Sequence, residues 1–148
     1  MKPGATPQFV KARPVPFALG PKLEASLGKL GQEGVLEKVA HSEWGTRIIV
    51  VPKKIGGVRI CGDYKVTLNQ VLDVDHHPLP KPSDLFASLA GGKVLAKPDL
   101  TQAYHQMEVK EKPQHLLAIT AHKGLYRNRR FAFGISSALF QRTMQQIL

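Results

Sequence analysis

Two short apolar segments separated by glycines constrain the fold of this chain more than any other feature. Arg47-Ile-Ile-Val-Val51 has the β-branched composition of a buried strand, and Val58–Asp63 is its expected partner. The Ile55–Gly57 segment between them is predicted to form a three-residue hairpin loop, because glycine tolerates the positive φ angles of tight turns. A symmetric loop would place Lys53 opposite Arg59, and residues opposite each other share a face. The sequence therefore predicts an antiparallel hairpin with two cations on one face.

Helical and strand patterns alternate through the rest of the chain. Leu23, Leu27 and Leu30 recur at helical spacing, with Pro21 suited to the first turn and Gly34 to the stop. The other predicted elements are a helix from an N-cap at Ser83 through Leu89, a strand at Val94–Lys97, a strand pair at Leu116–Ala121 and Leu125–Arg130, and a helix at Ala138–Leu148. This mixture, without internal repeats, predicts an α+β fold.

Composition limits the number of domains, the kind of partner and the cellular compartment that we expect. Its 148 residues suit one domain, and a net charge of +10 indicates a polyanion or an anionic surface as partner, unless this is a basic fragment whose acidic partner segment is missing. The single cysteine, Cys61, excludes an intramolecular disulfide and fits a reducing compartment. Neither a secretory signal nor an apolar run of membrane-spanning length is visible, so we expect an intracellular protein, cytoplasmic or nuclear, without a membrane partner.

Prolines and glycines are concentrated at the start of the chain. Residues 1–20 are therefore expected to form an extended, poorly ordered lead-in, and residues 21–148 the folded domain. A second proline-rich link, His77–Pro82, is predicted between the hairpin region and the helix that follows.

Several ordered motifs resemble one family. They are Arg13-Pro-Val-Pro-Phe17, Ser42-Glu-Trp44, Val58-Arg-Ile-Cys-Gly-Asp-Tyr-Lys-Val-Thr-Leu-Asn-Gln-Val71, Lys97-Pro-Asp-Leu-Thr-Gln-Ala-Tyr-His-Gln106, His122-Lys-Gly-Leu-Tyr126 and Phe140-Gln-Arg-Thr-Met144. Together they resemble the fingers and front palm of reverse transcriptases, most closely those of gypsy-class LTR retroelements. The resemblance covers about Phe9 to Leu148 and implies RNA-directed DNA polymerisation by two-metal nucleotidyl transfer.

The resemblance assigns the metal chemistry to one carboxylate in this chain. Asp99 matches the first metal-binding aspartate of the family, with the backbone carbonyl of Leu100 as companion ligand for Mg²⁺. The simpler alternative is an aspartate that caps the turn at 101–106. The family's second catalytic block, an aromatic-x-Asp-Asp turn, does not occur in these 148 residues. We therefore expect a partial palm, truncated before that motif, and an isolated chain without polymerase activity.

Four further residues match family positions around the incoming deoxynucleotide. Arg59 corresponds to the arginine that grips the triphosphate, and Lys53 would complete a cationic clamp; the alternative is that both charges only solvate the hairpin edge. Tyr104 corresponds to the aromatic that stacks under the sugar and excludes a 2′-hydroxyl, and Phe133 lies beside the same pocket. A half-buried or core aromatic is the alternative for both residues.

Basic residues of the second predicted strand pair suit a template–primer track. Lys123, Arg127, Arg129 and Arg130 cluster around Tyr126, a pattern typical of phosphate contacts, although a plain solvated face is the alternative. The six histidines, at positions 41, 76, 77, 105, 115 and 122, have no zinc-type spacing and are interpreted as surface or turn residues.

The chain also departs from the family pattern. Pro98 stands where the family has leucine, Ala132 replaces a proline, and the run Ser136–Gln141 is two residues short. Proline before Asp99 removes a hydrogen-bond donor from the predicted palm strand. Two hypotheses therefore stay open: a reverse-transcriptase-family domain that is inactive when isolated, and a non-catalytic retroelement remnant that acts at most as a basic nucleic-acid-binding module.

Overall fold

A computed structural model describes residues 1–73, 78 and 80–147. The helices are α1 (Gly20–Gln32), α2 (Leu68–Val71), α3 (Pro82–Leu89), α4 (Glu111–Gln114) and α5 (Ser137–Ile147), and the strands are β1 (Leu36–Val39), β2 (Thr46–Pro52), β3 (Val58–Gly62), β4 (Ala118–Ala121) and β5 (Gly124–Asn128). The strands form a five-stranded sheet in the order β1-β5-β4-β2-β3. β2 and β4 are parallel, and the other pairs are antiparallel. The predicted α+β class is confirmed.

Helix α1 covers one face of the sheet and supplies much of the core. Leu23 and Leu27 are buried, as their helical spacing predicts, and a proline stands in the first turn. They pack in one cluster with Leu36, Ile48 and Ile119 from three strands. The helix ends before Gly34, whose φ of 72° is the left-handed conformation common after helices.

A buried polar network joins the strands to the segment between β3 and α2. The Tyr64 hydroxyl lies 3.3 Å from the carbonyl oxygen of Leu117, to which it donates, and accepts a 3.1 Å hydrogen bond from Asn128. Burial raises the pKa of Tyr64, so its hydroxyl stays a donor. The hydroxyls of Thr46 and Thr67 lie 2.6 Å apart in the same interior. These bonds satisfy side chains that would otherwise be costly to bury.

Residues 1–16 of the expected lead-in form no helix, and part of this segment is hydrogen-bonded to the sheet rather than poorly ordered. Phe9 forms an isolated bridge with Gly45, and the Val10 amide donates to the Gly45 carbonyl at 2.7 Å. The Thr120 hydroxyl donates to the Val10 carbonyl at 2.8 Å. This part of the lead-in is therefore anchored to the body of the domain.

The β2–β3 hairpin forms where it was predicted, but with a different register. Val51 lies opposite Arg59 and Pro52 opposite Val58, so Lys53 lies opposite Gly57 rather than Arg59. Five residues, 53–57, separate the last ladder pair, and within them the Lys53 amide donates to the Gly57 carbonyl at 3.1 Å. A shift of two residues preserves the face of each side chain, so Lys53 and Arg59 still share one.

The predictions around Asp99 are wrong in their secondary structure. Val94–Lys97 does not form a strand, and Val94 and Leu95 are 91% and 64% exposed. A strand needs a neighbour that completes its hydrogen bonds, and no described strand pairs with this segment. Helix α3 also starts two residues early, at Pro82, so Lys81 rather than Ser83 occupies the N-cap.

The remaining predicted elements occur with small shifts. The second strand pair is confirmed as β4 and β5, and α5 is confirmed up to Ile147. Two residues of the predicted link His77–Pro82, His77 and Leu79, and the predicted end of α5 at Leu148 lie outside the described residues. No helix in the described part of the chain is long and apolar enough to cross a membrane.

Candidate functional site

A cavity of about 570 Å³ lies at the free edge of β3. Its walls come from α1, the β2–β3 hairpin, the segment 100–105 and Phe133. The hydroxyl of Ser26 on α1 donates to the Val58 carbonyl at 3.4 Å, which ties the helix to the strand edge on one side. Segments far apart in sequence thus meet around one concave space, which is the usual setting of a ligand site.

Two cations of the hairpin, Lys53 and Arg59, face this cavity. Lys53 directly follows β2 and Arg59 lies within β3. The Arg59 guanidinium carbon lies 5.8 Å from the centroid of the Phe133 ring, a cation–π arrangement. Stacking on a ring face leaves the planar edge of a guanidinium available to oxygen ligands. The predicted pairing of two cations in one site is therefore retained despite the register change.

Aromatic side chains form another part of the cavity wall. Tyr104 is half-buried, and its ring centroid lies 4.9 Å from Phe133, 4.6 Å from Phe140 and 5.6 Å from Phe131. Tyr104 and Phe133 also line the cavity, so each residue is both part of an aromatic cluster and exposed to the space that a ligand would fill. Tyr104 and Phe133 are therefore packed as half-buried or core aromatics and are also available to a ligand, which were the two alternatives from the sequence.

Asp99 is not part of the cavity. Leu100 lines it, whereas the Asp99 side chain is exposed to solvent outside it. Among residues 1–73, 78 and 80–147, no group of three or more histidine, cysteine or acidic residues is placed to hold a metal ion. A hard divalent cation requires several oxygen ligands. The described residues therefore do not fit the expected Mg²⁺ site.

Polar residues that the sequence analysis did not single out also line the cavity. They are Ser26 and Lys29 on α1, Glu33 directly after it, and His105 next to Tyr104. The first three recur at helical spacing, which was the available signal. Burial holds the pKa of His105 below its ordinary value of 6.5, and the Glu33 carboxylate opposes this shift. The centroid of the His105 ring lies 5.2 Å from that of Phe133. His105 is thus a cavity residue, whereas His41, His115 and His122 are exposed, and His76 and His77 lie outside the described residues.

The predicted basic cluster is divided between two faces of the sheet. Lys123 and Tyr126 line a groove against α1, while Arg127 points to the opposite face, since side chains alternate along a strand. Three of the four cations are also paired with glutamates: Lys123 with Glu24 at 3.2 Å, Arg127 with Glu37 at 2.6 Å and Arg130 with Glu108 at 3.0 Å. Arg129 is exposed and forms no ion pair within the described part. These residues do not form one continuous basic surface.

The chain is similar in sequence to parts of longer proteins. It is 36% identical over 148 residues to the uncharacterized protein K02A2.6 of Caenorhabditis elegans, covering 97% of this chain and 12% of that protein. It is 31% identical over 149 residues to the retrovirus-related Pol polyprotein from transposon opus of Drosophila melanogaster, covering 96% of this chain and 15% of that protein. The chain thus spans less than a sixth of either relative. No family model matches it.

Solved structures with the same fold come from foamy viruses. Prototype foamy virus protease–reverse transcriptase superposes with a TM-score of 0.78 at 20% identity, over 98% of this chain and 20% of that one. A foamy viral protease–reverse transcriptase in complex with double-stranded DNA superposes with a TM-score of 0.78 at 21% identity, over 97% of this chain and 25% of that one. The chain is therefore related in sequence to a segment of retroelement Pol polyproteins, and it has the fold of the matching part of foamy virus protease–reverse transcriptases.

Proposed function

We propose that this chain is the fingers and partial palm of a gypsy-class reverse transcriptase, and that its cavity binds the incoming deoxynucleoside triphosphate. One observation carries the proposal. Four residues that the family resemblance assigns to this task, Lys53, Arg59, Tyr104 and Phe133, come from three separate parts of the sequence and line the same cavity. A coincidental motif match would not be expected to bring all four together.

The chemistry of the cavity suits a nucleotide. The guanidinium of Arg59 can donate two parallel hydrogen bonds to phosphate oxygens, and the Lys53 ammonium adds a second positive charge. Tyr104 and Phe133 offer apolar ring surface to a deoxyribose. The cationic wall and the aromatic wall therefore match the two halves of a deoxynucleoside triphosphate.

Binding of this kind would not by itself give catalysis. Polymerisation by two-metal chemistry needs carboxylates that fix both ions, and Mg²⁺ with Asp99 and the Leu100 carbonyl as ligands remains a prediction that the described geometry does not fit. Primer extension by the 148-residue polypeptide, with Asp99→Asn as control, should give no product; extension that disappears in the variant would show that the palm segment assembles a metal site.

Nucleic acid is the proposed second partner. The net charge of +10 favours phosphate contacts without base reading, so affinity should fall steeply with salt. Because the strand-pair cations are largely paired with glutamates, this binding should be weak. Titrations at several salt concentrations test it, and an affinity that hardly changes with salt would contradict the proposal. Such a salt-dependent affinity without nucleotide binding would favour the non-catalytic remnant.

Deoxynucleotide binding to the purified chain is the direct test. Arg59→Ala and Lys53→Ala should each weaken binding of a deoxynucleoside triphosphate by about tenfold, the loss expected for one charge-assisted contact. Lys54→Ala is the matched control, since Lys54 is adjacent, carries the same charge and does not line the cavity. An equal effect of all three substitutions would indicate a nonspecific charge effect and contradict the proposed site.

A further inference from the structure

Asn69, at the second position of α2, fastens a distant loop. Its side-chain amide donates to the Gly134 carbonyl at 2.9 Å, and its side-chain oxygen accepts from the Ser136 amide at 3.2 Å. One side chain therefore uses both its donor and its acceptor on the same short loop, 65 and 67 residues away in sequence. An asparagine amide is well suited to such a two-sided contact.

The same loop is pressed against β3. The Gly62 amide donates to the Phe133 carbonyl at 3.2 Å. Gly134 has a φ of 99°, and a Cβ atom there would overlap the carbonyl oxygen of Gly62. The loop is thus held between α2 and the edge of β3, with little freedom to shift.

The loop carries the aromatic residue that joins the two walls of the cavity. Phe133 contacts Tyr104 at 4.9 Å, His105 at 5.2 Å and the guanidinium of Arg59 at 5.8 Å. A displacement of the loop would move this ring relative to all three neighbours. It would leave the backbones of both cations in place, because Arg59 lies in the β2–β3 ladder and the Lys53 amide donates to the Gly57 carbonyl at 3.1 Å.

We infer that Asn69 is a positioning residue for nucleotide recognition: by holding the loop at Gly134 and Ser136, it presents the Phe133 ring to the sugar of the bound nucleotide. This inference rests on the proposed function. The inference distinguishes binding of the phosphates from binding of the sugar. The hairpin cations hold the phosphates, and Asn69 acts through Phe133 only on the part of the ligand that contacts the aromatic wall.

The test uses two probes, a deoxynucleoside triphosphate and inorganic triphosphate, because only the first has a sugar that can contact Phe133. Asn69→Ala should weaken deoxynucleotide binding about five- to tenfold, as loss of a few hydrogen-bonded contacts predicts, and leave inorganic triphosphate binding within about twofold. Phe133→Ala should give the same split, and the double variant should be no weaker than the weaker single variant, since both act through one ring. Gln70→Ala is the matched control, because Gln70 is the exposed neighbour on α2 and its side chain makes no hydrogen bond to another described residue.

The outcomes are distinct. If Asn69→Ala weakens both probes equally, its role is general stability and the inference is overturned. If Phe133→Ala gives the split but Asn69→Ala does not, the inference alone fails; if the wild-type chain binds neither probe, the proposed function fails and the inference with it. Should Asn69→Ala not fold, Asn69→Asp keeps the acceptor for Ser136 while losing the donor to Gly134, and the same split is expected.

Discussion

The β2–β3 hairpin and the segment 92–102 both carry residues assigned to the same proposed reaction, yet only the hairpin is built into the sheet. β2 is paired on both sides, with β3 and β4, and Ile48 is buried in the core. In the second segment, Val94 and Leu95 are exposed, and no described strand pairs with it.

The contrast shows that strand propensity is not enough. Both segments contain β-branched or large apolar residues, but a strand is stable only when a neighbour completes its backbone hydrogen bonds and covers its apolar face. The cationic half of the candidate site depends on the hairpin and is assembled. The carboxylate half depends on the segment before Asp99 and is not.

The largest expected difference between the two regions is in the stability lost when a leucine is replaced by alanine. Leu23→Ala removes a fully buried side chain that α1 packs against the sheet, and it should lower the free energy of unfolding by about 2–5 kcal/mol. Leu95→Ala makes the same chemical change at an exposed position and should cost less than about 0.5 kcal/mol. Urea denaturation of both variants measures this. A large loss for Leu95→Ala would mean that the segment is packed and would remove the contrast.

The next largest expected difference in stability is between alanine substitutions at two glycines. Gly134 and Gly91 both have positive φ angles, so alanine is strained at either position. At Gly134 the added methyl group would also meet the Gly62 carbonyl, whereas nothing lies within 4 Å at Gly91. Gly134→Ala should therefore be more destabilising than Gly91→Ala by about 1–3 kcal/mol, the usual cost of overpacking. Thermal unfolding of the two variants compares them, and equal melting temperatures would argue against close packing of the loop on β3.

The sequence predicted the parts of the fold whose signals are local. Helical spacing identified α1, and two apolar segments around glycines identified the hairpin. The loop was assigned too few residues, because a sequence does not show which backbone groups bond across a turn. The shared face of Lys53 and Arg59 was still predicted correctly, since a two-residue shift in register does not change faces.

The parts that were missed depend on contacts between distant segments. His105 could be assigned to the cavity only once α1 and the segment 100–105 were in place. The ion pairs of Lys123 and Arg127 join strand-pair residues to glutamates roughly 90 or more positions away, and no local pattern announces them. The strand before Asp99 was predicted from propensity alone, which carries no information on whether a partner strand is available.

Replacing the proline before Asp99 separates two causes of the missing strand. If Pro98 alone prevented it, Pro98→Leu would restore a donor and add stability. We expect a change within about 0.5 kcal/mol, because no described strand lies beside the segment to accept the new hydrogen bond. Hydrogen exchange at residues 94–97 provides the measurement. Slowed exchange in the variant would assign the missing strand to proline rather than to the lack of a partner.

The smallest expected difference is in how the stability of the fold depends on pH. The ammonium of Lys123 and then the imidazole of His122 hold the pKa of Glu24 below its ordinary value of 4.5, and these contacts tie α1 to the turn between β4 and β5. Because the folded-state pKa is lowered, this contribution to stability is present above the ordinary value and is lost as the pH falls through the lowered one.

Glu24→Gln should therefore make stability less dependent on pH below about 4.5, with a small effect because the pair is exposed to solvent. Asp99→Asn is the counterpart in the other region. Asp99 forms no ion pair with any described residue, so its substitution controls for the loss of one carboxylate. Urea unfolding between pH 3 and 6 compares the two variants. A flatter slope for Asp99→Asn would mean that its carboxylate meets a cation in the folded chain, and the segment before it would then be tied to the domain through that charge.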